Sequence, residues 1–85
     1  TAMALGDSHY ARRAEKALLA LDARLQERVK EAIRELAGSP LSGKKLKGEF
    51  EGLRSYRLGP LRIVYRFTKD LLEVVFVDYR KDAYR

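Results

Sequence analysis

The hydrophobic period of this chain changes once, from a helical spacing to strict alternation, and that change limits the layers it can build. Tyr10, Ala14, Ala17, Leu18 and Leu21 recur on one helical face, and Leu25, Val29, Ala32, Ile33 and Leu36 repeat the pattern. Asp7 or Ser8 is expected to cap the first helix and Asp22 the second, with Gly38-Ser39-Pro40 as the stop. The short connection near Asp22 predicts an antiparallel hairpin whose apolar stripes both need a further partner. Between residues 38 and 52 the periodicity lapses in a glycine-rich stretch carrying Lys44, Lys45 and Lys47, which predicts a loop. Farther on, Leu61, Ile63, Tyr65 and Phe67 alternate with Arg62, Val64 and Arg66, so one strand face is apolar and the other carries two arginines. Gly59-Pro60 and Thr68-Lys69-Asp70 divide the region into three strands, 53–58, 61–67 and 72–77, an antiparallel meander. Helices followed by strands predict a two-layer α+β fold. The N-terminal antiparallel helix hairpin packs on one face of a small antiparallel β-sheet, and the other face is free for function.

With 85 residues the chain is one domain, 1–85, and too small for a dinucleotide-binding fold or a barrel enzyme. Thr1 and Ala2 ahead of Met3 read as an expression remnant and stay outside the fold argument. The absence of cysteine excludes disulfides, thiol nucleophiles and thiolate metal sites, and the single histidine, His9, excludes histidine-rich zinc chemistry. No apolar run reaches the roughly 20 residues of a membrane span, so a cytoplasmic protein without a membrane partner is expected.

Charge is unevenly placed. Residues 1–43 hold 7 basic and 6 acidic groups, whereas residues 44–85 hold 11 basic and 6 acidic, so the net charge of +6 divides as +1 and +5. The second half is the candidate for binding a polyanion. Glu15, Glu27, Glu31 and Glu35 lie among helical lysines and arginines, where surface pairing is the expected role, and no set of oxygen ligands gathers to hold a metal. Ser39, Ser42 and Ser55 lack a histidine to activate them, and the loop glycines match no nucleotide-binding motif. What remains is a set of cations with aromatics: Arg54, Tyr56, Arg57, Arg62 and Arg66, then Tyr79, Arg80, Lys81, Tyr84 and Arg85. Guanidinium forks bind phosphate oxygens and tyrosine rings accept unstacked bases, a combination suited to single-stranded RNA; the alternative is a solubilising strand face with tyrosines partly in the core.

The strings KKLKGEFEGLRSYRLGPLRIVYRF and EVVFVDYRKDAYR resemble the RelE branch of the RelE/ParE toxin superfamily over residues 10–85. The shared elements are a helical hairpin, a K-L-x-G loop, a strand with a basic residue before a small turn, an R-I-V-Y strand and a basic-basic-x-x-Tyr end. The resemblance implies the toxin of a toxin–antitoxin pair, a ribosome-dependent endoribonuclease. Such an enzyme cuts messenger RNA without metal or cofactor by attack of the ribose 2′-hydroxyl on the adjacent phosphate. Its implied partners are a cognate antitoxin, messenger RNA in the ribosomal decoding site and ribosomal RNA. By position, Arg62 would stabilise the phosphate in the transition state and Arg57 would help to position the 2′-hydroxyl. Of the pair Arg80 and Lys81, one would protonate the leaving oxygen, and Lys81 is taken for that role; Tyr84 would stack on a base. Lys44, Lys45, Lys47, Arg54, Arg66, Arg80 and Arg85 are the remaining RNA-binding candidates. Two features depart from the family. Ser55 stands where a second basic residue is common, leaving Arg54 or the loop lysines to compensate, although alternation puts Arg54 on the opposite face from Arg57. The usual first strand is also weak here, short or frayed around Ala4–Gly6 if it forms. A gyrase-binding toxin of the ParE branch and a catalytically weak RNA-binding relative remain the alternatives.

Overall fold

The computed structural model describes residues 7–69 and 71–79. Its elements run β1 (Asp7–Tyr10), α1 (Arg12–Leu19), α2 (Ala23–Gly38), β2 (Lys44–Lys45), β3 (Arg54–Leu58), β4 (Leu61–Phe67) and β5 (Leu71–Tyr79), with 3₁₀ turns at Pro40–Ser42 and Gly48–Phe50. The five strands are ordered β1-β5-β4-β3-β2. The β3–β4–β5 meander is antiparallel, as alternation and the two turns predict. Gly59 supplies the positive φ, 58°, that a two-residue hairpin turn beginning with glycine requires.

The helix hairpin covers one sheet face, as expected. Ala14 and Leu18 of α1 and Val29, Ala32, Ile33 and Leu36 of α2 pack with Leu61, Ile63, Tyr65, Leu72, Val74 and Val77 in one core. Asp22 caps α2, its Oδ1 accepting from the Leu25 N–H at 2.9 Å.

The start of the chain differs from the sequence reading. Asp7 and Ser8 belong to β1 rather than to the start of a helix, and α1 begins after Ala11, which supplies no side-chain cap. Tyr10 likewise lies in β1 while packing against the core. β1 pairs in parallel with β5, Asp7 opposite Leu71 through Tyr10 opposite Val74, which makes the sheet mixed at one edge. Its residues have little strand preference of their own, and the strand is built on a template some 60 positions away, a tertiary effect that overrides local propensity. Ala4–Gly6, where a first strand was expected, lie outside the described residues.

The glycine-rich stretch is more ordered than a loop. Within it β2 pairs with β3, Lys44 opposite Ser55 and Lys45 opposite Arg54. The buried Tyr65 hydroxyl donates to the Pro40 carbonyl at 2.7 Å and accepts from the Gly43 N–H at 2.9 Å. Burial pushes the pKa of this phenol up, so it stays a donor. A Cβ on Gly43 would lie within 3.0 Å of the Tyr65 ring and hydroxyl, so this close approach requires glycine.

One irregularity decides what the free face carries. Val64 pairs with Phe76 but Tyr65 pairs with Val74, leaving Val75 as the extra residue of a β-bulge. Strict alternation from Leu72 and Val74 would send Phe76 into the helix-side core. The bulge reverses the phase, so Val77 faces the core and Phe76 and Asp78 face the other way.

Candidate nucleic-acid interface

The register brings the two arginines of greatest interest together. Arg57 on β3 and Arg62 on β4 are directly opposite, and Asp78 on β5 continues the same rung. Since Tyr56, Ile63 and Val77 of the neighbouring rung point into the core, alternation puts the Arg57–Arg62–Asp78 rung on the face opposite the helices. Arg57 is exposed, with no ion-pair partner among the described residues. Among the described residues Arg62 makes one ion pair, 3.3 Å from its guanidinium to Asp78 Oδ2. Its Nε and Asp78 Oδ1 are buried with no hydrogen-bond partner among the described residues. A guanidinium and a carboxylate in full register would make two short bonds of about 2.7–2.9 Å, so this pair is only half made. Like charges directly opposite on a sheet are destabilising, and the rung is therefore better suited to holding an anion than to holding the fold together.

Beside this rung the same face is apolar and aromatic. Val64 and Phe76 are buried although they lie outside the helix-side core. The Arg62 guanidinium lies 5.6 Å from the centre of the Phe76 ring. Arg13 of α1 lies 5.0 Å from it, and the Phe50 ring, 41% exposed, lies 6.5 Å away. Arg13 and Phe50 were not among the candidates. In the sequence Arg13 sits on the polar side of a helix, and Phe50 sits in a stretch without periodicity; nothing local signals that the end of β1 and the 3₁₀ turn converge on Phe76.

The other candidate cations fall into distinct places. Lys44, opposite Ser55, shares the face of Arg57, so β2 brings a cation to the side of the sheet where Ser55 lacks one. Arg66 is on that face too, but it is exposed and paired across the strands with Glu73 at 2.6 Å. Arg54 points to the side opposite Arg57, as alternation predicts, where it donates to the Gly43 carbonyl at 2.8 Å and lies 5.8 Å from the Phe67 ring. Lys45, Lys47, Arg54 and Arg66 line an open groove of about 560 Å³ together with Leu46, Leu53 and Phe67. This groove lies at the far end of β3 and β4 from the Arg57–Arg62 rung. Arg80, Lys81, Tyr84 and Arg85 lie outside the described residues. Among the described residues no three His, Asp or Glu side chains gather to hold a metal.

Comparison with known proteins agrees with this architecture. Residues 9–84 match the model of the ParE toxin of type II toxin–antitoxin systems. No curated protein sequence matches the chain. Among solved structures, the chain resembles the toxin–antitoxin complex RelBE2 from Mycobacterium tuberculosis at 30% identity and a TM-score of 0.83, covering 92% of this chain and 94% of that one. A mutant RelE toxin from E. coli in the free state superposes with a TM-score of 0.78 at 24% identity, covering 96% of this chain and 90% of that one. The ParDE system of P. aeruginosa has the same fold, with a TM-score of 0.70 at 17% identity over 93% of this chain and 98% of that one. Together the match across residues 9–84 and the 30% identity to RelBE2 establish that the chain is a toxin of a toxin–antitoxin system, a member of the RelE/ParE superfamily on its RelE-type branch.

Proposed function

We propose that this toxin is a ribosome-dependent endoribonuclease that cuts messenger RNA on the sheet face opposite its helices. The observation that carries the reading is the Arg57–Arg62 pair, two arginines at directly opposite strand positions whose one carboxylate contact among the described residues, Arg62 to Asp78, is half made. A phosphate in that position relieves the repulsion and uses the fork geometry of both side chains. During attack by the 2′-hydroxyl, negative charge builds on the non-bridging oxygens, and a preorganised donor aimed there is worth about 10² to 10³ in rate. Arg62 is assigned that role and Arg57 the positioning of the attacking ribose, with Lys44 standing in for the missing cation at Ser55. Lys81 would protonate the leaving oxygen and Tyr84 would stack on a base.

The same inventory accounts for ribosome dependence. Arginine is a poor general base at neutral pH, so the site relies on charge stabilisation and on RNA presented with its reacting atoms in line. Positioning of this kind contributes up to about 7–11 kcal/mol, and a message in the decoding site supplies it. The groove lined by Lys45, Lys47, Arg54 and Arg66 would rest on ribosomal RNA. A cognate antitoxin would neutralise the toxin by covering the arginine face, an acidic segment being the matching chemistry. That such toxins are found with antitoxins in the RelBE2 complex supports the partnership.

The test is to add the protein to a reconstituted translation reaction and map the 5′ ends of the message, with a gyrase supercoiling assay alongside. Cleavage within the reading frame, leaving a cyclic phosphate and a 5′-hydroxyl, is expected, with gyrase unaffected. Gyrase inhibition without cleavage would assign the chain the gyrase-directed activity instead.

A further inference from the structure

Phe76 is a buried ring on the sheet face away from the helices, and three side chains from three separate elements converge on it. Arg62 comes from β4, Arg13 from the first turn of α1 and Phe50 from the Gly48–Phe50 turn, at 5.6, 5.0 and 6.5 Å from the ring centre respectively. Topology explains how Arg13 arrives. β1 ends at Tyr10 opposite Val74, the Ala11 N–H still donates to the Val74 carbonyl at 2.9 Å, and the chain then turns into α1 beside the next residues of β5. The bulge at Val75 has already turned Phe76 toward the open face there.

Arg13 is exposed and has no ion-pair partner among the described residues. Its guanidinium shares the Phe76 ring with that of Arg62, so a second fork, with no carboxylate partner among the described residues, is held at the same ring. Phe50 keeps 41% of its surface exposed while its ring meets Phe76 at a 58° tilt, which leaves part of a hydrophobic ring in water beside two cations. An exposed aromatic beside one unpaired and one half-paired guanidinium suits a single-stranded nucleic acid, offering a platform for an unstacked base and forks for successive phosphates.

We propose that Arg13 and Phe50 form a binding subsite for single-stranded RNA next to Arg62, with Arg13 holding the phosphate adjacent to the one on Arg62 and Phe50 stacking on the intervening base. This rests on the reading of Arg62 as the residue that meets the scissile phosphate. It assigns to α1 and to the 3₁₀ turn a direct part in gripping the message, and Phe76 becomes the buried spacer that sets their separation.

The experiment titrates the full chain with a fluorescein-labelled, 2′-O-methylated single-stranded RNA hexamer, which lacks the attacking hydroxyl, across a range of salt concentrations. Arg13→Gln is expected to weaken binding and to lower the slope of log affinity against log salt by about 0.7, the contribution of one phosphate contact on a single strand. Arg24→Gln removes the same charge from α2, which places no described side chain at the Phe76 ring, and is expected to leave that slope unchanged. Phe50→Ala is expected to weaken binding about 5- to 150-fold with the salt slope intact, Phe50→Tyr to bind as the parent does, and Phe50→Leu to fail as Phe50→Ala does. Circular dichroism of each variant checks the fold, and Arg13→Lys provides a charge-conserving variant that should keep the slope. The subsite is overturned if Arg13→Gln behaves as Arg24→Gln does, if leucine serves at position 50 as well as an aromatic ring, or if the parent fails to bind the hexamer at low salt. Ribosome-dependent cleavage measured in parallel separates the two readings. Hexamer binding that responds to Arg13 and Phe50 in a protein that cuts no message overturns the nuclease and leaves the subsite; cleavage by a protein whose hexamer binding ignores both residues overturns the subsite alone.

Discussion

Two neighbouring rungs of the sheet, one residue apart in every strand, have opposite logic. Tyr56, Ile63 and Val77 face the helices and pack against their apolar stripes, whereas Arg57, Arg62 and Asp78 face away and leave buried polar atoms unpartnered. The backbone pairing is the same in both. What differs is whether the side chains satisfy one another, and the contrast shows that the strands are held by one face and equipped by the other. Consistency between residue and environment on the covered face, and its breach on the open face, is the pattern expected of a functional site.

Substitutions on the covered face should do the most damage. Ile63→Ala is expected to cost about 2–5 kcal/mol in chemical denaturation, because the side chain is fully buried between the helices and the sheet. A loss of under about 1 kcal/mol would mean that the helices do not close tightly on this rung. Tyr65→Phe comes next. It leaves the Pro40 carbonyl and the Gly43 N–H without their partner and should cost about 1–3 kcal/mol. The same hydroxyl predicts a pH dependence. In the folded chain its pKa is raised by burial, while in the unfolded chain it ionises near 10.0, so the unfolded state loses its proton first. Stability should therefore be flat below that pH and fall as the pH climbs above it, and Tyr65→Phe should lessen the fall. An unchanged alkaline slope in the variant would show that another group governs it.

On the open face the sign of the effect reverses. Arg57→Gln is expected to raise stability by about 0.2–1 kcal/mol, since it removes a like charge directly opposite Arg62, while lowering cleavage of ribosome-bound message. A variant that loses both stability and cleavage would show that Arg57 supports the fold and would remove the contrast between the rungs.

Most of the architecture was legible because it follows local rules. The alternation through Leu61–Phe67 announced β4 and its two faces, Gly59-Pro60 announced the turn, and Asp22 announced the start of α2. β1 was not legible, since Asp7–Tyr10 become a strand only through pairing with Leu71–Val74. Nor was the phase of β5, because in Val74-Val75-Phe76-Val77 every residue is apolar and alternation cannot report a bulge. That ambiguity hid the ring on which Arg13 and Phe50 converge. Arg57 and Arg62 could be named from the sequence, but their placement face to face, the half-made contact to Asp78 and the arrival of Lys44 opposite Ser55 depend on register.

The proposed nuclease assigns Arg62 to the phosphate and gives it little part in the fold. Its most direct test is the single-turnover rate at which Arg62→Ala cuts a ribosome-bound message, with denaturation of the same protein measured beside it. A rate about 10² to 10³ below that of the parent is expected. Stability should stay within about 1 kcal/mol of the parent, because the partly exposed contact to Asp78 is worth little. A folded Arg62→Ala protein that cuts the message at the parent rate would contradict it.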